Sequence, residues 1–534
     1  MKIRAASKGR RGSLGAWELL PGVALAALST SLYLRTMQNP FVYDDRITVT
    51  DNWSIRHLAD IYTVLRFDLF RPLVNLSFAI DYALWGLNPA GFHLTNVGLH
   101  ALNVVLVFAL LTRAVGDCRI SKGTASGIDP GSSRLIPLVG SALFAVHPMM
   151  TEAVGYVSGR SDVLAGTFFL LAVFLMRRGL VSDRARWIAF ALVPLILALA
   201  SKEVSVMFPF VLLAYDRLVL KRSGLEGRRR FLRFHLPLIG IVLFLGVARL
   251  LIFIRVEHAF PSQAMSRALG YLGLQFEAVW KYVQLLVLPF HQSIAHNVTG
   301  FISLSVLGAL SLVTTCVLAF LVRERAPLFT FGLAWFFLLM VPSSSVVPLQ
   351  SPMAEHRVYL ASIGLFLAVS TVFARLVGKL RDRLVARRIL YAAGVLVLGG
   401  LAILTVARNA VWSDPVALWR EATFSAPRWD TYTALGHALR DAGDCQAALE
   451  AYGAASRLEP QRFVPLVAGW VCLSNLGRGD EARVISEHIR RVDPELKQVC
   501  DEIRVLAPHL VSLEACRETL RPMLGVETLR PADP

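Results

Sequence analysis

The sequence predicts an all-α polytopic membrane protein that ends in a soluble helical-repeat domain. Three observations carry the prediction. Apolar runs near bilayer-spanning length, about 20 residues, recur from residue 16 to 408 and then stop. Short basic clusters separate those runs, and beyond residue 410 the chain repeats itself with a period of 34. Of 534 residues, 55% are hydrophobic, and the mean hydropathy of +0.54 exceeds what a soluble multidomain chain needs. A formal charge of +17 does not argue for nucleic acid. The basic residues sit in short loops between apolar runs, as orientation signals do. The first run is too long for a cleavable signal, and many spans follow it without a convincing cleavage site.

Taken in order, spans are expected at about 16–36, 92–113, 135–150, 161–178, 186–201, 203–220, 236–256, 303–322, 327–347, 358–378 and 388–408. Lys2, Arg4, Lys8, Arg10 and Arg11 precede the first and are expected to stay in the cytoplasm. So are the clusters from Arg113 to Arg134, Arg177 to Arg186, Lys221 to Arg233, Arg323 to Arg325 and Arg375 to Arg388. A further apolar stretch at 270–290 would put Arg323–Arg325 on the wrong side. It carries Gln275, Glu277, Lys281 and Gln284 and reads better as an interfacial or re-entrant helix. About eleven spans then satisfy every basic loop, with the N-terminus inside and the C-terminal domain outside. The domains are a membrane part over 1–410, with an external loop at 37–91, and a repeat part over 411–534.

Residues 429–462 and 463–496 align: Gly443 with Gly477, Ala448 with Ala482, Pro460 with Pro494. Leu435, Gly436, Ala448, Tyr452, Ala455 and Pro460 fall on the small and large positions of a tetratricopeptide helix pair. Small residues let two helices approach, and the proline marks the turn into the next pair. Residues 412–426 read as a partial preceding repeat and 497–520 as a capping helix, giving a short α-solenoid. Cys445, Cys472, Cys500 and Cys516 lie in this domain. They read as one or two disulfides among three pairings, or as buried apolar cysteines. No metal-ligand spacing appears.

The loops expected outside are unusually polar. The first holds Phe41-Val42-Tyr43-Asp44-Asp45-Arg46, Arg71-Pro72-Leu73 and, at its end, His93. Others hold His147-Pro148 with Thr151-Glu152-Ala153-Val154, then Gly159-Arg160-Ser161-Asp162, Ser201-Lys202-Glu203 and Glu355-His356-Arg357. Cations and carboxylates from separate loops thus meet one membrane surface, a set that suits sugar transfer from a lipid phosphate. An acceptor hydroxyl needs a carboxylate base, for which Asp44 and Asp45 are the candidates. A departing phosphate needs cations, for which Arg160, Lys202 and Arg357 are candidates. Plainer readings stand beside these. Asp45-Arg46, Lys202-Glu203 and Glu355 with Arg357 fit local charge pairs. His147-Pro148 fits a span cap, and His93 and His100 fit helix packing. Arg249 and Arg255 suit either the lipid phosphate or snorkelling to the surface. Charge and periodicity alone leave a transporter open.

The strings themselves carry a resemblance. Phe41–Arg46, Arg71-Pro72-Leu73, Gly86-Leu87-Asn88-Pro89 with Gly91-Phe92-His93, His147–Asp162, Ser201-Lys202-Glu203 and Glu355–Ser362 occur in order. Together they resemble the transmembrane and tetratricopeptide-repeat O-mannosyltransferases, over about residues 35–365. His-Pro-x-x-Thr-Glu-Ala-Val with Gly-Arg-x-Asp is specific; a lone Asp-Asp is not. The resemblance implies a GT-C type helical bundle, a polyprenyl-phosphate mannose donor and a protein Ser or Thr acceptor. It places the base at Asp44 or Asp45, with Asp44 preferred. It places the donor contacts among Arg71, His93, His147, Glu152, Arg160, Asp162, Lys202, Glu203, Glu355 and Arg357. His356 and Ala361 depart from the pattern, and the repeat array is short.

The sequence thus reads as a glycosyltransferase acting on the non-cytoplasmic face, with the bilayer, the lipid-linked donor and a peptide or protein acceptor as partners. Nucleic acid is not a partner. No cofactor is firmly implied, and a divalent cation is left open. The basic, Arg-rich chain fits a bacterial inner membrane. The competing readings are a membrane-anchored repeat scaffold for envelope assembly and a surface-glycan polymerase or ligase.

Overall fold

The computed structural model describes residues 16–122, 129, 131–182, 184–221, 224–257, 264–298, 300–344, 351–506 and 513–523. The basic run Lys2 to Arg11 and the side chains of Arg249 and Arg255 lie outside the described residues. Among the described residues every regular element is helical. The chain divides into two compact units. The first comprises Met1–Gln38, His57–Gln292 and Val298–Ala410; the second comprises Asn39–Arg56, Ser293–Asn297 and Val411–Pro534.

Among the described residues, seven helices are long and apolar enough to cross a membrane, or eight if the bent pair Ser132–Val146 and Pro148–Gly155 counts as one span. This is a multi-pass membrane protein. A helix lies within each of the eleven expected spans, yet fewer have full crossing length. The expected spans at 186–201 and 327–347 are the shorter helices Arg186–Leu199 and Pro327–Met340. The one at 203–220 is broken into a 3-10 segment Glu203–Met207, an α-segment Phe208–Ala214 and a π-turn Tyr215–Val219. Hydropathy alone cannot see such breaks. Pro209 here sets the first turn of the α-segment, where its missing N–H costs nothing. The stretch read as interfacial is the 24-residue helix Ala264–Val287, which is not among the seven.

Two local devices position the polar site of this unit. First, Pro148 cannot continue the ladder, and the chain bends by 57° between the two halves of the broken pair. The carbonyl of Val146, left by that bend, accepts a hydrogen bond from the Thr405 hydroxyl at 2.6 Å. Second, Gly332 and Gly364 face each other, so a Cβ on either would run into the other's carbonyl oxygen. Helices Pro327–Met340 and Tyr359–Lys379 therefore pack backbone to backbone, the usual small-residue solution in lipid. Trp335 beside them donates to the Leu360 carbonyl at 2.8 Å.

The second unit is built of helix pairs that fit the tetratricopeptide pattern. Helices Trp429–Asp441 and Cys445–Leu458 form one pair, Val464–Asn475 and Gly479–Val492 the next. Gly443 and Gly477 take positive φ of 88° and 71° at the same point of each pair. That conformation is costly for other residues. At Gly436 a Cβ would meet the Tyr452 ring. The partial repeat is the helix Pro415–Ser425, capped by Asp414, which accepts from the Val416 and Ala417 amides. The expected single capping helix is two, Lys497–Leu506 and Leu513–Met523. A disulfide joins Cys500 to Cys516. Cys445 and Cys472 stay unbonded, with sulfur atoms 2.7 Å apart.

Candidate functional site

Seven of the expected site residues come together in the first unit. Lys202 and Asp162 form a buried pair at 2.5 Å, each side chain 5% exposed. Arg71 and Glu203 pair at 3.7 Å and are about two-fifths exposed, so this pair borders the accessible side. Glu152, on the short helix Thr151–Gly155, accepts from the His356 amide at 3.2 Å and meets His356 Nδ1 at 2.7 Å. Glu355 is buried and accepts from Gln292 Nε2 at 2.7 Å. Arg357 donates to the Pro352 carbonyl at 3.4 Å and has no ion-pair partner among the described residues. Tyr282 accepts from the Ala354 amide and donates to its carbonyl at 3.0 and 2.9 Å, which pins the strand of chain entering Glu355.

Electrostatics tie these groups into one cluster. Lys202 feels Asp162, Glu203 and Arg71; His356 feels Lys202, Asp162, Arg357 and Arg71. Burial holds the Lys202 ammonium below its ordinary pKa, against the pull of Asp162 and Glu203. The plainer pairings expected from sequence neighbours are not the ones formed. Lys202 pairs with Asp162 rather than Glu203, and Glu355 takes Gln292 rather than Arg357. Among the described residues no group of three or more His, Cys, Asp or Glu is disposed to hold a metal ion.

The other three expected donor contacts are buried side chains of the same unit. Arg160 is fully buried, and its guanidinium is spent on Asp81 at 2.5 Å, Asn96 at 2.7 Å and the Phe92 carbonyl at 2.6 Å. It also lies over the Phe78 ring, 4.8 Å from the centroid. Such a cation ties the Pro72–Trp85, Pro89–Lys122 and Arg160–Ser182 helices together. His147 uses both ring nitrogens: Nδ1 accepts from the Met149 amide at 3.2 Å, and Nε2 reaches the Leu286 carbonyl at 3.1 Å. The tautomer is assigned from these partners. His93 is buried on the Pro89–Lys122 helix.

The Asp pair belongs to the second unit. Asp45 is fully buried, and its Oδ2 accepts from the Val42 amide at 3.1 Å, closing the turn that precedes it. Asp44 is half-buried, and its carbonyl accepts from both the amide and the hydroxyl of Thr48. The local pair Asp45-Arg46 is not made, because Arg46 binds Asp51 at 3.3 Å. Tyr43 holds φ +53°, an unusual state for an aromatic residue. Its ring packs edge-on against Trp419, centroids 5.3 Å apart. A strained residue next to the carboxylates, held by packing, is what functional loops often show.

Motif reading missed Asp81, Asn96, Gln292 and Tyr282, which sit outside any matched string. His356 was noticed only as an interruption. The one signal for Asp81 was its position a helical turn or so before Gly86, too weak to name a partner for Arg160.

No family model matches the chain, and no solved structure does. Similarity to named proteins is extensive. Protein O-mannosyl-transferase Tmtc3 of Drosophila melanogaster is 26% identical over 92% of this chain and 61% of its own length. Tmtc1 of the same fly is 33% identical over 35% of this chain and 22% of its own. Human TMTC4 is 31% identical over 28% and 22%. The chain thus spans about three-fifths of Tmtc3 and about a fifth of the other two. With its multi-pass bundle, its helical repeats and these motifs, the chain is a homologue of the proteins named protein O-mannosyl-transferase.

Proposed function

We propose that the chain is a membrane mannosyltransferase that moves mannose from a polyprenyl phosphate to a protein Ser or Thr hydroxyl. The observation that carries this reading is the cluster of Lys202, Arg71 and Arg357 among Glu152, Asp162, Glu203 and Glu355, within a chain similar to a protein O-mannosyl-transferase over 92% of its length. In the reaction, the bond from sugar C1 to the phosphate oxygen breaks while the acceptor oxygen bonds C1 from the opposite face. The Asp44 carboxylate takes the hydroxyl proton, and the polyprenyl phosphate leaves with the electron pair. Arg357, the cation without a carboxylate partner, stabilises that phosphate, with Lys202 and Arg71 as further charge. Asp45 is fully buried with its Oδ2 on the Val42 amide, whereas Asp44 is half-buried and so the more accessible of the two. The distribution of basic loops supports a non-cytoplasmic active face. The repeat unit supplies a surface for the acceptor polypeptide.

The test is purified full-length protein with radiolabelled polyprenyl-phosphate mannose and Ser/Thr-rich peptides. Label is expected on peptide hydroxyls with inverted configuration at C1. Neither transfer nor donor hydrolysis would contradict the reading and favour the scaffold. Use of a lipid diphosphate glycan instead would point to a polymerase.

A further inference from the structure

The His356 imidazole is gripped at two points by one carboxylate. Its amide and its Nδ1 both bind Glu152, at 3.2 and 2.7 Å, so one carboxylate holds the backbone in place and orients the ring. A carboxylate only accepts, so Nδ1 carries the hydrogen, and Nε2 is left as the working atom. Among the described residues Nε2 has no hydrogen-bond partner. The imidazole is 24% exposed where the Glu152 side chain beneath it is 4% exposed. The ring therefore presents Nε2 away from its buried anchor.

The charges around it frame what Nε2 can do. Lys202, Arg71 and Arg357 give three positive charges; Glu152, Asp162, Glu203 and Glu355 give four negative ones. With neutral His356 the cluster is one charge negative, and an arriving phosphodiester makes it two. A proton on His356 removes half of that deficit, beside a carboxylate that favours it. Burial first, then Lys202, Arg357 and Arg71 against Asp162, hold the free imidazole down to about 3 from 6.5, so the ring is neutral until an anion arrives to offset those cations.

We propose that His356, oriented by Glu152, takes up a proton when an anionic donor headgroup binds, and that its Nε2–H then hydrogen-bonds the departing phosphate and delivers that proton to it. The proposal rests on the donor reading above. The balance closes: the acceptor proton goes to Asp44, the His356 proton goes to a phosphate oxygen as the C1–O bond breaks, and exchange with water restores both groups.

Binding then tightens on acidification. The probe is a farnesyl mannosyl phosphodiester, which does not itself titrate between pH 5.5 and 7.5, measured by calorimetry on the full chain in detergent. Wild type is expected to bind at least threefold more tightly at pH 5.5 than at 7.5, and H356Q to bind equally at both. If H356Q fails to fold, E152Q decides, since it keeps the imidazole but removes the charge that favours its protonation. A flattened pH dependence in E152Q supports the proposal. Equal wild-type affinity at both pH values, or the wild-type tightening retained in H356Q or E152Q, overturns it while the donor reading stands. No binding of the diester by wild type at any pH overturns the donor reading and this proposal with it.

Discussion

Arg160 and Arg357 show how differently two loop arginines of similar appearance are used. Arg160 has no exposure and a partner on each guanidinium nitrogen, chiefly Asp81. Removing it strands a buried carboxylate, which costs about 3–5 kcal/mol. R160M is therefore expected to lower the melting temperature in detergent sharply, and activity lost in that variant should track lost folded protein. Arg357 is half-exposed, with a single carbonyl contact at 3.4 Å. R357M is expected to melt within a few degrees of wild type while transfer falls about 100-fold or more, the usual scale for one stabilising group. Equal effects of the two substitutions on melting would contradict the division of roles.

At the scale of elements, the repeat pairs depend on positions where nothing larger than hydrogen fits. Gly436 faces the Tyr452 ring across its pair, so G436A overpacks the contact and should cost about 1–3 kcal/mol. Thermal unfolding followed by circular dichroism checks this, and an unchanged transition would deny the close approach. His437 packs on the same ring, its Nδ1 2.9 Å from the Tyr452 hydroxyl. Burial, with Arg440 beside it, pushes its pKa down to about 4 from 6.5. The unfolded chain binds more protons than the folded one between those values, so stability rises with pH from about 4 to 6.5 and is lost on acidification through that window. H437N should flatten that slope in the repeat unit's melting profile; an unaltered acid slope would assign it to other groups.

For the whole molecule, the sequence was informative where a pattern repeats and silent where a partner lies outside any pattern. Long apolar runs made the membrane bundle legible, and the spacing of Gly443 and Gly477 made the repeats legible, because both signals are periodic. Breaks such as Pro148, and the segmented stretch from Glu203 to Val219, were invisible to hydropathy. The polar strings from Glu152 to Arg357 were legible as strings. Their pairing was not, since Lys202 chose Asp162, 40 residues away, over its neighbour Glu203. Sequence gave no ground for separating Asp44 from Asp45. Burial supplies one, since Asp45 is fully buried and Asp44 only half-buried.

The central claim is that mannose leaves a polyprenyl phosphate under attack by a hydroxyl whose proton goes to Asp44. Its most direct test is the initial rate of labelled mannose transfer from polyprenyl phosphate to peptide by wild type, D44N and D45N, each purified at full length. The account predicts transfer by wild type and a loss of about 10²–10⁴-fold in D44N with an unchanged melting temperature. D45N is predicted to keep transfer near the wild-type rate, because the Asn side-chain oxygen can still accept from the Val42 amide. Wild-type rates in D44N, or no transfer by wild type, would contradict it.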